Sequence, residues 1–571
     1  MFLRNLVLAL TAFALALPAP VAAQSKHLLE YPSIHSPVVG TRGMVVSQNA
    51  IASEVGAQIM RDGGNAIDAA VAIGFALAVT LPRAGNIGGD GFMTVYDAKS
   101  RQVRVIDFRG IAPRAATPAM FVDEKGKERA IASYGYLAPS VPGTVAGLEL
   151  AHRKWGKLPW AKVVEPALRL ARDGVKLTAD EAFVFGWGRE RLSKSASGKT
   201  TFYKPGGTLY AKDEILKQPD LAWTLGKISK EGAKGFYTGE VARRIAADMK
   251  ANGGILTTAD LAAYKPVERA PLVGTYRGYQ VYTAPPASAG GATLLNMLNI
   301  LEHFDMKALS QGSAASLHIL AETMKLAYID RYRVLGDPAF VTAPVKGFVS
   351  KEYAAERAKL IKDRATPVRD LPAGDPLKYE SPSTTHYSVA DAEGNAVSTT
   401  YTLGSDFGSG VMIAGTGILL NNQMNNFSHE QAWEAQRKRE APPLNAMAPG
   451  KRMLSTMMPT IVFKDGKPWL VTGTPGGSTI PTTMVQIIVN AIDYGLNVDE
   501  ATHSPRIYQG TTASLRIEPN FNPDTVAALK AKGHRITSDE TMGSAQSIMI
   551  TDNLFLGGTD PRRPGAKAIE P

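Results

Sequence analysis

Residues 381–408 read SPSTTHYSVADAEGNAVSTTYTLGSDFG, an unusual concentration of hydroxyls for a chain with nine histidines and no cysteine among 571 residues. β-Branched threonine suits a pleated surface, so the stretch reads first as a hairpin: strands over 385–390 and 396–403 around the polar loop 391–395. If that loop is symmetric about Glu393, Thr384 lies opposite Thr402 on the same face, with Cβ atoms about 5 Å apart. A one-residue slip would break the pairing.

Two facing hydroxyls are not yet a catalyst, because a hydroxyl nucleophile needs a base. His386 shares the Thr384 face by strand alternation and is one candidate. The other appears if the peptide bond before Thr384 is cut: the freed α-amine, with a pKa near 7.7 to 8.0, sits on the nucleophile's own residue.

Working outward, residues 471–483 read VTGTPGGSTIPTT. A phosphate loop needs a Lys-Ser/Thr after its glycines, and only Ser478 and Thr479 follow here, which discounts a nucleotide site. Two readings stay open for Gly476 and Gly477: a tight turn, or an oxyanion loop whose amides approach a reacting carbonyl unobstructed. No HExxH, paired CxxC or EF-hand loop occurs, so no metal or other cofactor is expected.

The chain opens MFLRNLVLALTAFALALPAPVAAQS, with Arg4 before a short apolar run ending in Ala-x-Ala-like residues, which reads as a secretory signal over 1–23 and a periplasmic or secreted mature protein. The run is too short for a stable membrane anchor. The formal net charge of +11 is scattered rather than concentrated in a basic, aromatic-interleaved run, so no nucleic-acid partner is expected. Without cysteine, stability must come from a packed core.

Residues 51–80 show two helical stretches split by Gly63 and Gly64, with Asn65 placed to cap the second, which is apolar all round and so fits a buried helix. Two alternating strands follow, turning near 98–100. Helical patterns dominate from Pro142 to about Asp363, including capping-box starts at Thr178 and Thr257. The polar, Pro-containing passage 365–383 is expected to be exposed and open to cutting. Short strands then recur through Phe463, and a helix spans about 483–494. Strands at both chain ends with helices between them suit sheets covered by helical layers, a mixed α/β fold.

Taken together, TTHYSV at Thr384, YTL at Tyr401, GILLNNQM at Gly417, TPGGS at Thr474, DGGNAIDAAVA at Asp62, PGTVAG at Pro142 and LGDP at Leu335 resemble the gamma-glutamyltranspeptidase family. The match runs in consistent order over nearly the whole mature chain. The resemblance implies an N-terminal nucleophile hydrolase fold, a four-layer αββα sandwich, cut by itself between Ser383 and Thr384 into a large subunit (24–383) and a small one (384–571). It implies Thr384 as nucleophile with its α-amine as base, Thr402 orienting the Thr384 hydroxyl, and Gly476 and Gly477 as the oxyanion loop. Arg109, in IDFRG, would bind the substrate carboxylate, assisted by Ser455 and Thr456. Gln423 and Asn426 would face the substrate's α-ammonium. The implied reaction passes a γ-glutamyl group, as from glutathione, through a threonine acyl-enzyme to water or to an amino acid or peptide amine.

The chain departs from the family at several of these positions. Asn426 stands where an aspartate grips the ammonium, and Gly404 where an asparagine assists it, so the direct compensating charge is missing. This favours an alternative, a glutaryl-type amidase similar to the cephalosporin acylases. A rival of another class is an exported binding protein that keeps the scaffold without activity. Gly110 replaces an acidic residue that commonly follows the binding arginine, and Asp90 interrupts a glycine run. Residues 428–450 lie where some members carry a lid. They lack its tyrosine and read as a charged loop in which Trp433 is the one candidate shield.

Overall fold

The threonine hairpin forms in the expected register, pairing Thr385 with Tyr401 through to Ala390 with Ala396. Its strands run Ser383–Asp391 and Ala396–Gly404, and the register shifts between Ser383 and Thr385, where Ser383 pairs with Gly404. Such a shift bends a strand and re-aims a side chain, and here it falls on Thr384. The structure is a computed structural model that describes residues 33–371, 383–538, 541–552 and 554–571. The expected signal peptide and most of the passage before Thr384 lie outside these residues.

The hairpin is the centre of a seven-stranded antiparallel sheet. Its order is Lys567–Ile569, Gly43–Ser47, Ser383–Asp391, Ala396–Gly404, Asp90–Asp97, Gln102–Asp107 and Val267–Arg269. A second antiparallel sheet of seven stacks on it, in the order Val38–Gly40, Leu554–Thr559, Gln546–Thr551, Lys467–Thr472, Thr460–Lys464, Tyr279–Thr283 and Leu272–Tyr276. Alternation sorts the side chains: Met44, Val46 and Ala390 of the first sheet meet Ile461, Val471 and Ile548 of the second. The opposite faces carry Val389, Val397 and Tyr401 against one helical layer, and Val462 and Leu470 against another. The result is the four-layer αββα sandwich. Both sheets mix strands from either side of Thr384, so residues 37–571 form one unit and the two expected subunits are not separate domains.

The helix covering the hairpin shows how the sequence sets the layers. Ala66–Thr80 is buried at every residue. The Asn65 side chain accepts from the amides of Ile67 and Asp68, while the Asp68 carboxylate accepts from the Asn65 amide, a capping box contributing about 1 kcal/mol. Each fully buried Val, Ile, Leu or Phe adds roughly 1.5–3 kcal/mol. The helix approaches the sheet closely at Gly74, whose carbonyl accepts from the Tyr401 hydroxyl at 3.0 Å; a Cβ there would lie 3.0 Å from the Tyr387 oxygen.

Two expectations need correction. Helices dominate the middle of the chain but do not fill it, since Val267–Arg269 is an edge strand of the first sheet and Leu272–Tyr276 and Tyr279–Thr283 are the edge strand of the second and its neighbour. Their two-residue turn has Arg277 and Gly278 both at positive φ, as tight hairpins need, but Arg-Gly lacks the Asn-Gly or Asp-Gly signature. The 428–450 segment is not a plain loop either: it contains the helix His429–Lys438. Trp433 packs its ring against Gly126, where a Cβ would come within 2.2 Å, and it does not line the pocket described next.

Candidate active site

Thr384 and Thr402 meet at the end of the hairpin with their hydroxyl oxygens 3.4 Å apart, and Thr402 Oγ1 also accepts from the Gly404 amide at 2.8 Å. One narrow pocket is lined by both threonines together with Arg109, Gly404, Gln423, Asn426, Ser455, Thr456, Met457 and Gly477. The expected residues, drawn from five separate stretches of chain, therefore converge. Gly476 precedes Gly477 in the glycine loop but does not itself line the pocket.

The glycine loop follows the strand Lys467–Thr472 and feeds the helix Ile480–Ile492, whose N-terminal end carries partial positive charge. Gly476 (φ 135°) and Gly477 (φ 56°) both occupy the region that favours glycine, and a Cβ on Gly476 would meet Thr479 Oγ1 at 2.3 Å. Thr456 donates to the Gly477 carbonyl at 2.8 Å, tying the Ser455-Thr456 pair to this loop. The Ser455 hydroxyl accepts from the Met457 amide at 3.0 Å.

Arg109 has no solvent exposure. Its Nη1 donates to Asp90 Oδ1 at 2.6 Å, Nη2 to the Leu454 carbonyl at 2.9 Å and Nε to the Met453 carbonyl at 3.2 Å. A guanidinium has five N–H donors, so one remains on each terminal nitrogen for a carboxylate. Burial raises the Asp90 carboxyl above its ordinary range, opposed by the Arg109 guanidinium and the Gly110 amide. Asn426 Nδ2 donates to Gln423 Oε1 at 2.7 Å, and Gln423 Nε2 to Asp90 Oδ1 at 3.2 Å.

Asp90 is the site residue whose contacts the sequence reading missed. Its break in a glycine run was visible, but not what it touches. Gly404 sits at φ 101°, and a Cβ there would lie 2.1 Å from Asn422 Oδ1, so the absent asparagine has no room in this packing.

His386 is not the base. It is fully buried between Thr400 Oγ1 (2.8 Å from Nδ1) and Ser388 Oγ (3.1 Å from Nε2), away from the pocket, and burial lowers its pKa to about 3. An imidazole that reluctant to take a proton cannot serve near neutral pH.

Comparison with known proteins agrees with this geometry. A family model for gamma-glutamyltranspeptidase matches residues 52–570. The glutathione hydrolase proenzyme of Escherichia coli (strain K12) is 48% identical over 554 residues, covering 96% of this chain and 95% of that protein. Among solved structures, the cephalosporin acylase from Bacillus halodurans superposes with a TM-score of 0.85 at 31% identity, covering 95% of this chain and 98% of that one. The Helicobacter pylori gamma-glutamyltranspeptidase gives a TM-score of 0.56 at 43% identity over 58% of this chain and 95% of that one. The chain belongs to the gamma-glutamyltranspeptidase family.

Proposed function

We propose that this protein is a self-processing glutathione hydrolase and γ-glutamyltransferase in which Thr384 is the nucleophile. The observation carrying this reading is the pocket that joins Thr384 to a buried arginine on one side and a left-handed glycine loop on the other. In the precursor, the Thr384 hydroxyl attacks the Ser383 carbonyl, and the acyl chain shifts from nitrogen to oxygen. That shift frees the Thr384 amine, and water then hydrolyses the ester to release the Thr384 hydroxyl and the Ser383 carboxylate, leaving residues 24–383 and 384–571 as the large and small subunits.

In the mature enzyme that amine takes the hydroxyl's proton as the oxygen attacks a γ-glutamyl amide. The Gly476-Gly477 loop accommodates the oxyanion, and the leaving amine receives the proton. Water or an acceptor amine then displaces the acyl group. Arg109, with Ser455 and Thr456, holds the substrate's α-carboxylate. The leader over 1–23 supports export to the periplasm or beyond. No helix among the described residues is long and apolar enough to cross a membrane.

Replacing Thr384 by Ala tests the assignment. It is expected to leave a single uncut polypeptide without γ-glutamyl anilide turnover; cleavage and turnover at the parent level would refute it. A glutaryl amidase is the second reading, favoured by the neutral Asn426 and by the likeness to the cephalosporin acylase. Its discriminating substrate is a glutaryl anilide.

A further inference from the structure

We infer that Asp90 is a specificity-determining residue of this pocket, and that its carboxylate, acting through Gln423 and Asn426, supplies the negative charge that holds a substrate's α-ammonium. The inference rests on the γ-glutamyl reading above and decides between its two acyl classes.

The placement comes from the sheet. Asp90 begins the strand Asp90–Asp97 and pairs directly with Thr402, on the side of the Ala396–Gly404 strand away from Thr384. Its carboxylate has no solvent exposure and takes three N–H donors: Arg109 Nη1 at 2.6 Å and Gln423 Nε2 at 3.2 Å on Oδ1, and the Gly110 amide at 2.9 Å on Oδ2. Burial raises this carboxyl's pKa, but all three contacts are N–H donors and one belongs to a guanidinium, so the geometry is that of a carboxylate paired as an anion with Arg109. The space beside Arg109 is filled from position 90 rather than position 110: a Cβ on Gly110 would lie 2.9 Å from Asp90 Oδ2 and 2.2 Å from Ser140 Oγ. Asp90 and Gly110 are thus one coupled departure.

The amide groups then have fixed directions. Gln423 gives its NH2 to Asp90, so its carbonyl faces Asn426 and accepts from Asn426 Nδ2 at 2.7 Å. That leaves Oδ1 as the acceptor Asn426 offers to a ligand. Two amide dipoles aligned head to tail on a buried carboxylate reinforce one another, so the Asn426 oxygen is a stronger acceptor than an isolated amide.

Charge balance points the same way. Arg109 and Asp90 together are neutral. A γ-glutamyl group carries both an α-carboxylate and an α-ammonium, and enters without leaving net buried charge. A glutaryl group brings the carboxylate alone and leaves one uncompensated negative charge in a desolvated site, which is strongly disfavoured. Had Asn426 replaced the direct aspartate with no charge at position 90, the balance would favour glutaryl.

The test compares kcat/KM for γ-glutamyl and glutaryl p-nitroanilides on processed enzyme. The parent should prefer the γ-glutamyl compound. Asp90→Asn should lower its kcat/KM by about tenfold or more, chiefly through KM, while glutaryl turnover rises. Adding Asn426→Asp to that variant moves the charge into direct contact and should restore the γ-glutamyl preference. A parent that prefers glutaryl, an Asp90→Asn variant that loses both substrates in the same proportion, or a double variant without rescue overturns the inference and leaves the family reading intact. If the variants fail to process, inhibition of the parent decides: L-glutamate should compete at lower concentration than glutarate, and the reverse order overturns the inference. Turnover of neither anilide by the cut parent refutes the γ-glutamyl reading itself.

Discussion

Arg109→Gln should damage the fold as well as the binding of substrate, because its partner is buried with it. The Arg109–Asp90 pair is 2.6 Å long with both side chains at 0% exposure. Removing one member of such a pair strands the other charge and costs about 3–5 kcal/mol. Glutamine can replace at most part of the donors now given to the Met453 and Leu454 carbonyls, each worth about 1 kcal/mol. Against a total stability of roughly 5–15 kcal/mol for a typical fold, the loss is large enough to lower the melting temperature by several degrees. Asp90→Asn in the Arg109→Gln background removes the stranded charge and should recover about 2 kcal/mol, a coupling that a double-mutant cycle reads directly. Acid should act in the same sense: with its pKa raised, the orphaned Asp90 carboxyl neutralises as pH falls, so the penalty is greatest near neutral pH and shrinks below it. The assay is thermal unfolding of the four proteins at neutral and mildly acid pH. A loss under about 1 kcal/mol for Arg109→Gln, or no recovery in the double variant, refutes the claim that the two residues are one buried unit.

Three further outcomes are expected. Gly404→Asn, although it introduces the residue that the family resemblance leads one to expect, must adopt φ near 101° and displace Asn422, so it should cost about 1–3 kcal/mol in thermal unfolding and bring no gain in γ-glutamyl turnover. Thr402→Val strips the acceptor from the buried Gly404 amide and the partner from Thr384; slower cutting of the precursor and roughly 10- to 100-fold lower turnover should follow, and parental rates on gels and anilide assays would contradict the role. His386 is held at about 3 in the folded protein against about 6.5 unfolded, so its contribution is complete above the unfolded value and lost as pH falls towards 3. Between pH 7 and pH 5 that amounts to about 2 kcal/mol, and His386→Gln should flatten the stability profile over this range.

Much of this was legible because strand alternation has a rigid period. The register of 385–390 against 396–401 followed from the loop over 391–395, and Thr384 and Thr402 meet at its end although the register shifts there; the cap at Asn65 and the capping boxes at Thr178 and Thr257 marked helix starts that the fold confirms. The strands flanking Arg277-Gly278 were hidden because their turn lacks the usual residue pair and because their pattern sits inside a helical region. His386 was misplaced as a candidate base for a related reason. Alternation gives the face of a side chain, not its neighbours, and Thr400 and Ser388 enclose the ring on that face. The Asp90 connection lay further out of reach, since it joins residues 90, 109, 423 and 426 through contacts that no local pattern encodes.

The most direct measurement is the N-terminal sequence of the smaller fragment from purified, active protein. Thr-Thr-His-Tyr-Ser, beginning at Thr384, is the predicted result. A fragment starting anywhere else, or full turnover by one intact polypeptide, contradicts the proposal that this threonine's own freed amine drives the chemistry.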